Sequence, residues 1–475
     1  MNRKTFTYTL AGLSLSLLFD SSAFAQQTIT LSQAIDSALA NNVQIRQAAI
    51  TTSISEVDLR ISRSSLLPNV RGSVIGYKVF GNVIDASTSE TDRTSFTIGQ
   101  GNIFADVTLF QGFQKLNTIK QNKYFLEADK NNLQKVKNDL VLTVLSTYLK
   151  ALTNRDLLSA AKQQLTISTQ QLDKEQKFYN AKQKTLADLS QAKSQLANAE
   201  LNVTNSQNEM ELAFLTLAQL MERSSPEPFT IISPVSEETV KLNTQLSSTQ
   251  VYDQALTRFP DIQMLENQKM GYEHAVAVAR GVLTPRLSLA GSMNTNYSGT
   301  AREVSTSQIV GNQVIGYLGD TGTPIIAPSY ASNNVSFATQ VNRNFNQSVG
   351  LVLTIPILNG YSGQGSLRKA KLNYEYAVAT EYLARQNLKK VIDEAVWDVQ
   401  ATNKRFKSAQ LSFKSADDAF KVITQRYSVG LVSSQDVSIA ETDRNRAEFA
   451  MIQAKYDLIF KNKVIDYYLG SPIKL

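Results

Sequence analysis

The chain has 475 residues with no cysteine, one histidine and a formal net charge of +7. These counts exclude a disulfide framework, a thiolate metal site, a lipid-modified N-terminal Cys and any catalysis needing two imidazoles. Its Lys and Arg residues are interspersed with Glu, Asp, Gln and Asn, which points to solvated helix surfaces and excludes a nucleic-acid patch.

The chain opens like an export signal. Arg3 and Lys4 precede the apolar run Leu10 to Phe19, and Ala23-Phe24-Ala25 reads as the cleavage site, so residues 1–25 form a signal peptide. Beyond it no apolar run is long enough for a spanning helix, so a membrane role must use strands.

The remainder reads as two copies of one plan, 26–223 and 249–475, joined by a Pro-rich linker at 224–248 in which Thr230-Ile231-Ile232 can form a short strand. Asp36, Ala38, Leu39, Ile45, Leu66 and Pro68 fall at one constant offset on Asp253, Ala255, Leu256, Ile262, Leu283 and Pro285. At a second, larger offset Gly112, Tyr179, Asp188, Ala192, Ala199 and Glu200 fall on Gly360, Tyr427, Asp436, Ala440, Ala447 and Glu448. The difference is an insertion in the Gly/Ser/Asn-rich stretch between Tyr297 and Asn346. Each copy runs helix, strand, loop, strand, long helix, turn, helix.

Helices are expected over Val43 to Ser64 and Asp261 to Arg280, with Pro260 at the start of the second. Pro68 and Pro285 end these segments and open strands. Period-two alternation marks Val70 to Val79, Ile103 to Phe110, Leu287 to Met293 and Val349 to Ile357 as strands of the kind a membrane barrel uses. Four strands are too few to close a barrel, so several chains must share one. Gly81 to Gly101 and Ser298 to Phe345 are read as loops without sustained periodicity.

Residues Phe113 to Ser225 contain neither Gly nor Pro. Val144, Ala151, Leu158, Leu165, Leu172 and Tyr179, then Leu189, Leu196, Val203, Met210 and Leu217, form two heptad seams on helices joined near Asn180 to Thr185. In the second copy the seam is Leu388, Ile392, Ala395, Val399, Thr402, Phe406, Ala409, Phe413, Ala416, Phe420, Ile423 and Tyr427, on a segment that would be roughly 100 Å long as one helix. Gly430 is the left-handed residue that ends it. Thr185-x-x-Asp188 and Ser433-x-x-Asp436 have the spacing of capping boxes. His274, the only histidine, is a poor metal or acid-base site for want of a second His or a Cys, and Asp417-Asp418 and Glu237-Glu238 read as solvated surface charges. The fold class is mainly α with a small β part, and the residues alone also allow an exported periplasmic coiled-coil scaffold or adaptor without a pore.

The Leu66-Leu67-Pro68 and Leu283-Thr284-Pro285 joints, the Phe110-Gln111-Gly112 and Leu358-Asn359-Gly360 joints, and Tyr427-Ser428-Val429-Gly430-Leu431 followed by Asp436-Val437 resemble the TolC-like outer-membrane efflux proteins. The resemblance spans essentially the whole mature chain and rests on the order and spacing of these motifs. It implies a homotrimer whose chains share a twelve-stranded barrel in outer-membrane lipid above a long α-helical tunnel through the periplasm. A periplasmic adaptor and an inner-membrane RND or ABC transporter are the implied partners, with drugs or secreted polypeptides as cargo and neither cofactor nor catalysis. Tyr179, Asp188, Tyr427 and Asp436 match positions near the periplasmic mouth, where a ring of Asp436 would attract cations. The sequence departs from the family at Val432, where an Arg is usual, at the acidic position occupied by Ile439, and at Lys182, where Gly is usual. Closure of the mouth is therefore expected to use contacts other than a salt bridge from that Arg.

Overall fold

In a computed structural model the chain is described over residues 27–84, 91–223, 229–232 and 247–471. The signal segment and Glu237-Glu238 lie outside these residues, as does most of the linker. In the first half, β1 (Gln27–Ile29) is followed by α1 (Leu31–Asn41) and α2 (Val43–Ser64), then β2 (Asn69–Ile84) and β3 (Thr91–Gln111). The long α3 (Gln114–Asn180), α4 (Leu186–Leu220) and β4 (Phe229–Ile231) complete it.

The second half begins with α5 (Ser248–Arg258), α6 (Pro260–Gly281) and β5 (Arg286–Ser298). A hairpin of β6 (Arg302–Leu318) and β7 (Thr323–Asn334) and the short α7 (Phe337–Arg343) precede β8 (Asn346–Thr354). The half ends with α8 (Ser362–Ser428) and α9 (Ser434–Tyr468). Helix lengths recur between halves: α1 and α5 have 11 residues, α2 and α6 22, α3 and α8 67, α4 and α9 35. The chain divides into two compact units, each drawing on both halves, with boundaries inside α3 at Val136/Lys137 and inside α8 at Lys390/Val391.

One unit contains the four-stranded antiparallel sheet of order β2-β3-β5-β8. Pro68 and Pro285 immediately precede β2 and β5, as their fixed φ and missing N–H dictate. Gly112 and Gly360 have φ of +53° and +60° where the strands give way to α3 and α8. A Cβ on Gly112 would collide with the Thr284 side chain beside Pro285.

Register assigns every sheet side chain to a face. Val70, Ala105, Gly291 and Val349 lie in one row, and Val107, Leu289 and Leu351 in another on the same face. The opposite face carries Ser73, Asn102, Asn294 and Asn346, and Arg71, Phe104, Ser292 and Ser348. Across its rows the Ser292 and Ser348 hydroxyls lie 2.9 Å apart. The rows at Val349 and Leu351 are bare in the protomer, 78% and 65% exposed, while α7 covers the same face of β5 at Thr295 and Tyr297.

The strands outrun their expected bounds. β2 and β3 pair through Ile84↔Thr91, so most of Gly81 to Gly101 is ladder rather than loop. Ser298 to Phe345 also differs from the expected loop, because it holds the β6–β7 hairpin and α7. Register shifts at Val304/Ile309, Ile309/Gly311 and Val314/Gly316 break the alternation there, which hides the strands from a period-two reading.

In this unit α2 lies against α3. The Thr52 hydroxyl reaches the Asp129 carbonyl at 3.3 Å, and Asn122 Nδ2 donates to the Asp58 carbonyl at 3.3 Å. α6 is tied to α8 by Lys269–Glu381 at 2.6 Å and by Arg385, which bridges Glu381 and Glu266. His274 stacks on Tyr124 and meets Asn117 at 3.3 Å. The outward face of α2 shows Ile50, Ile54, Val57 and Ile61 in steps of four, three and four, all between 50% and 61% exposed. That spacing is a helix-packing seam left open among the described residues of the protomer.

The other unit contains β1 and β4 as a parallel pair, which places the expected linker strand at Phe229–Ile231. Buried Tyr148 of α3 holds the pair, its hydroxyl 3.0 Å from the Ile29 carbonyl and 2.8 Å from that of Ile232. Burial pushes this phenol up to about 12. The long seam of α8 is buried at Ile392, Ala395, Val399, Thr402 and Tyr427 and half-buried from Phe406 to Ile423. Asp417 was expected to be a solvated charge. Instead it accepts from Arg444 of α9 at 2.8 Å and pairs with Lys421, and these partners hold its carboxyl below the usual range.

Candidate functional site at the helix-hairpin turns

Both helical hairpins turn by the same chemistry. After α3, Lys182 N–H donates to the Tyr179 carbonyl at 2.9 Å and Gln183 N–H to that of Phe178 at 2.9 Å. After α8, Gly430 N–H donates to Tyr427 at 3.0 Å and Leu431 N–H to Arg426 at 3.0 Å. This double bond pattern requires a left-handed residue, supplied by Gly430 at φ +76° and by Lys182 at φ +59°. Only the lysine carries a Cβ penalty. Lys182→Gly should therefore stabilise the first turn by roughly 0.5–1 kcal/mol, read as a raised thermal unfolding midpoint of the helical signal.

The next helices start with capping boxes. The Asp188 amide donates to Thr185 Oγ1 at 3.2 Å while its carboxylate accepts from the Thr185 amide at 3.1 Å. Asp436 and Ser433 repeat this at 3.2 and 2.9 Å. Both aspartates thus satisfy backbone donors at a helix start. The Ser434 hydroxyl also donates to Asp188 at 2.8 Å, which ties one turn to the other. That bond, with those from Thr185, holds the Asp188 carboxyl below its ordinary value, and the Ser433 bonds do the same for Asp436.

Tyr427 and Tyr179 have diverged in environment. Tyr427 is 5% exposed, donates to the fully buried Glu175 of α3, and carries Lys174 and Lys184 ammonium groups 4.4 and 5.1 Å from its ring centre. Burial and the adjacent Glu175 raise its phenol well above the tyrosine range, so it stays a donor. Tyr179 is 37% exposed and lies outside this cluster. The structure thus gathers Tyr427 and Asp188 into contacts between the turns, but leaves Asp436 and Ile439 at the surface.

The contacts between helices here are mostly ones that a search for apolar rows passes over. Gln164, Ser168, Gln171 and Glu175 succeed one another on α3 in steps of four, three and four, a heptad row made entirely of polar residues. Gln164 Nε2 donates to Glu441 of α9, Ser168 Oγ reaches the same carboxylate at 3.3 Å, and Gln171 Nε2 donates to Glu175 at 2.9 Å. Gln195 of α4 donates to Ser438 of α9. A polar row at seam spacing was the available sequence clue.

The model of the family described as outer membrane efflux protein matches residues 34–222 and 251–471. The chain is 21% identical over 431 residues to the outer membrane efflux protein BepC of Brucella suis biovar 1 (strain 1330), covering 90% of this chain and 83% of that one. It is 21% identical over 444 residues to toxin and drug export protein A of Aggregatibacter actinomycetemcomitans, with 90% and 83% covered. Its fold is that of the Campylobacter jejuni CmeC outer membrane channel, at a TM-score of 0.75 and 18% identity over 99% of this chain and 94% of that one. With matched residues in both halves, the chain belongs to the outer membrane efflux protein family.

Proposed function

We propose that this outer-membrane efflux channel works as a homotrimer whose three four-stranded sheets close one twelve-stranded barrel. The observation that carries this reading is the sheet itself. Strands β2 and β8 are its two edges, its apolar rows at Leu351 and Val349 are bare, and its opposite face is mainly polar, with Asn and Ser in most of its rows. Open edges are not tolerated in lipid, because each unpaired backbone group there costs several kcal/mol. Copies that join β8 to the next β2 remove every edge, put the apolar rows toward lipid and put the polar rows around water. The bare seam of α2 supports association of copies through the helices as well.

In this reading residues 1–25 direct export, and the repeats 26–223 and 249–475, joined by 224–248, each supply two barrel strands and one helical hairpin. The hairpin turns form the periplasmic mouth, with Tyr427, Asp188 and Gly430 shaping it and Asp436 exposed to the passing cargo. An adaptor and an inner-membrane RND or ABC transporter would deliver that cargo, drugs or secreted polypeptides, and the Aggregatibacter relative is named for toxin and drug export. The relatives are channel proteins, and the proposal gives the chain no catalytic step and no cofactor. A scaffold without a pore leaves the apolar face and polar rows of the sheet without a purpose.

Purified protein in a planar lipid bilayer should conduct ions in discrete steps. Asp436→Asn should shift the reversal potential in a salt gradient toward lower cation preference, because three exposed carboxylates leave the mouth. Steps with unchanged selectivity would remove Asp436 from the mouth, and no conductance at all would contradict the conduit.

A further inference from the structure

Glu441 is unusual among the contacts between the hairpins. Its side chain sits between α3 and α9, is 3% exposed, and meets only neutral groups from α3: the Gln164 amide and the Ser168 hydroxyl. The nearest cation on its own helix, Arg444, is committed to Asp417 at 2.8 Å and Glu448 at 3.0 Å. A cavity of about 400 Å³ adjoins the carboxyl, walled by Gln195, Asn198 and Asn202 of α4 and by Thr442, Asn445 and Arg446 of α9. Arg446 is the only charged group of that wall besides Glu441 itself, so α3 and α4 present no charge to the carboxyl.

The hydrogen-bond inventory is incomplete in one direction. Gln164 Oε1 is buried without a donor, while its Nε2 serves both Ser168 and Glu441. A proton on Glu441 leaves the bonds from Gln164 Nε2 and Ser168 in place, since a neutral carboxyl oxygen still accepts, and it removes the desolvation cost of a charge at 3% exposure. An ionised carboxylate at this depth keeps that cost, with only two neutral donors from α3 to offset it.

We propose that Glu441, Gln164 and Ser168 form a proton-operated clasp: protonated Glu441 holds α3 and α9 together near the turns, and its ionisation draws water in from the adjoining cavity and lets the helices part. The inference rests on the conduit reading, since its consequence is a mouth that narrows in acid and widens as pH rises. Burial raises the Glu441 carboxyl above its ordinary 4.5. The proton-linked stabilisation is therefore complete below 4.5 and is lost as pH rises through the raised folded value. Asp188 and Asp436, both shifted down, and Tyr427, shifted up, titrate outside that interval.

The experiment is bilayer conductance of the assembled protein between pH 4.5 and about pH 8. Wild type should gain about threefold in conductance across the interval, and Glu441→Gln should remain at the low-pH level throughout. Gln164→Glu, which sets a second carboxylate beside the first, should move the midpoint upward by about one pH unit. Assembly of each variant is checked by its mobility on an unheated gel. Wild type and Glu441→Gln titrating alike, or a flat wild-type profile, would overturn the clasp while leaving the conduit intact. Absence of conductance in every protein at every pH would overturn both.

Discussion

Leu351→Arg should eliminate the protein from outer-membrane fractions while leaving its helical content unchanged in detergent. Leu351 sits mid-strand in β8, level with Leu289 and Val107 on the apolar face, and is 65% exposed in the protomer. A guanidinium on the lipid face near the bilayer midplane costs about 2–4 kcal/mol per copy, and three copies bring the total to the scale of a whole domain's stability. Ser348→Arg, three residues away on the opposite face, should insert normally, because that side would face water in the proposed barrel. Equal recovery of the two variants would mean the faces have been assigned the wrong way round or the sheet is not in lipid.

Ile54→Asp should convert the assembly to monomers. The residue lies at the centre of the exposed seam on α2, whose other face holds the helix in its own protomer through buried Ile45, Ala48 and Leu59. Burying an isoleucine contributes about 1.5–3 kcal/mol, and an unpaired carboxylate in its place adds a desolvation cost. The change recurs at every interface of a symmetric oligomer, whereas within the protomer Ile54 is already 57% exposed. Sedimentation of detergent-solubilised material should show a single-chain species, and a persisting oligomer would show that α2 faces solvent.

How much of this was legible in the sequence depended on whether the determinant was local. Pro68, Pro285, Gly112, Gly360 and Gly430 mark their joints because each answers a backbone constraint within a few residues. The limits of α2 and the two capping boxes follow for the same reason. The heptad seams predicted the buried face of α8 and, at Val144, Ala151 and Leu158, that of α3, since helix periodicity depends only on spacing; nearer the turn the buried α3 residues are Ser168 and Glu175, and Tyr179 is exposed.

What sequence reasoning missed lies where the partner is distant. The extension of β2 and β3 depends on pairs such as Gly76↔Gly99, which no alternation announces. Glu175 and Glu441 owe their burial to contacts across 252 and 277 residues, with Tyr427 and Gln164 respectively. Asp417 looks like one of two solvated acids until Arg444 arrives from the next helix. The turns are tied to each other by Asp188 with Ser434 and by Glu175 with Tyr427, contacts that need no Arg at the position of Val432.

One chain, as proposed, builds only part of a wall. The most direct measurement is the mass and cross-section of the protein reconstituted in lipid nanodiscs. Three copies around a water-filled bore is the predicted result. A single copy, or a bundle with no bore, would contradict it.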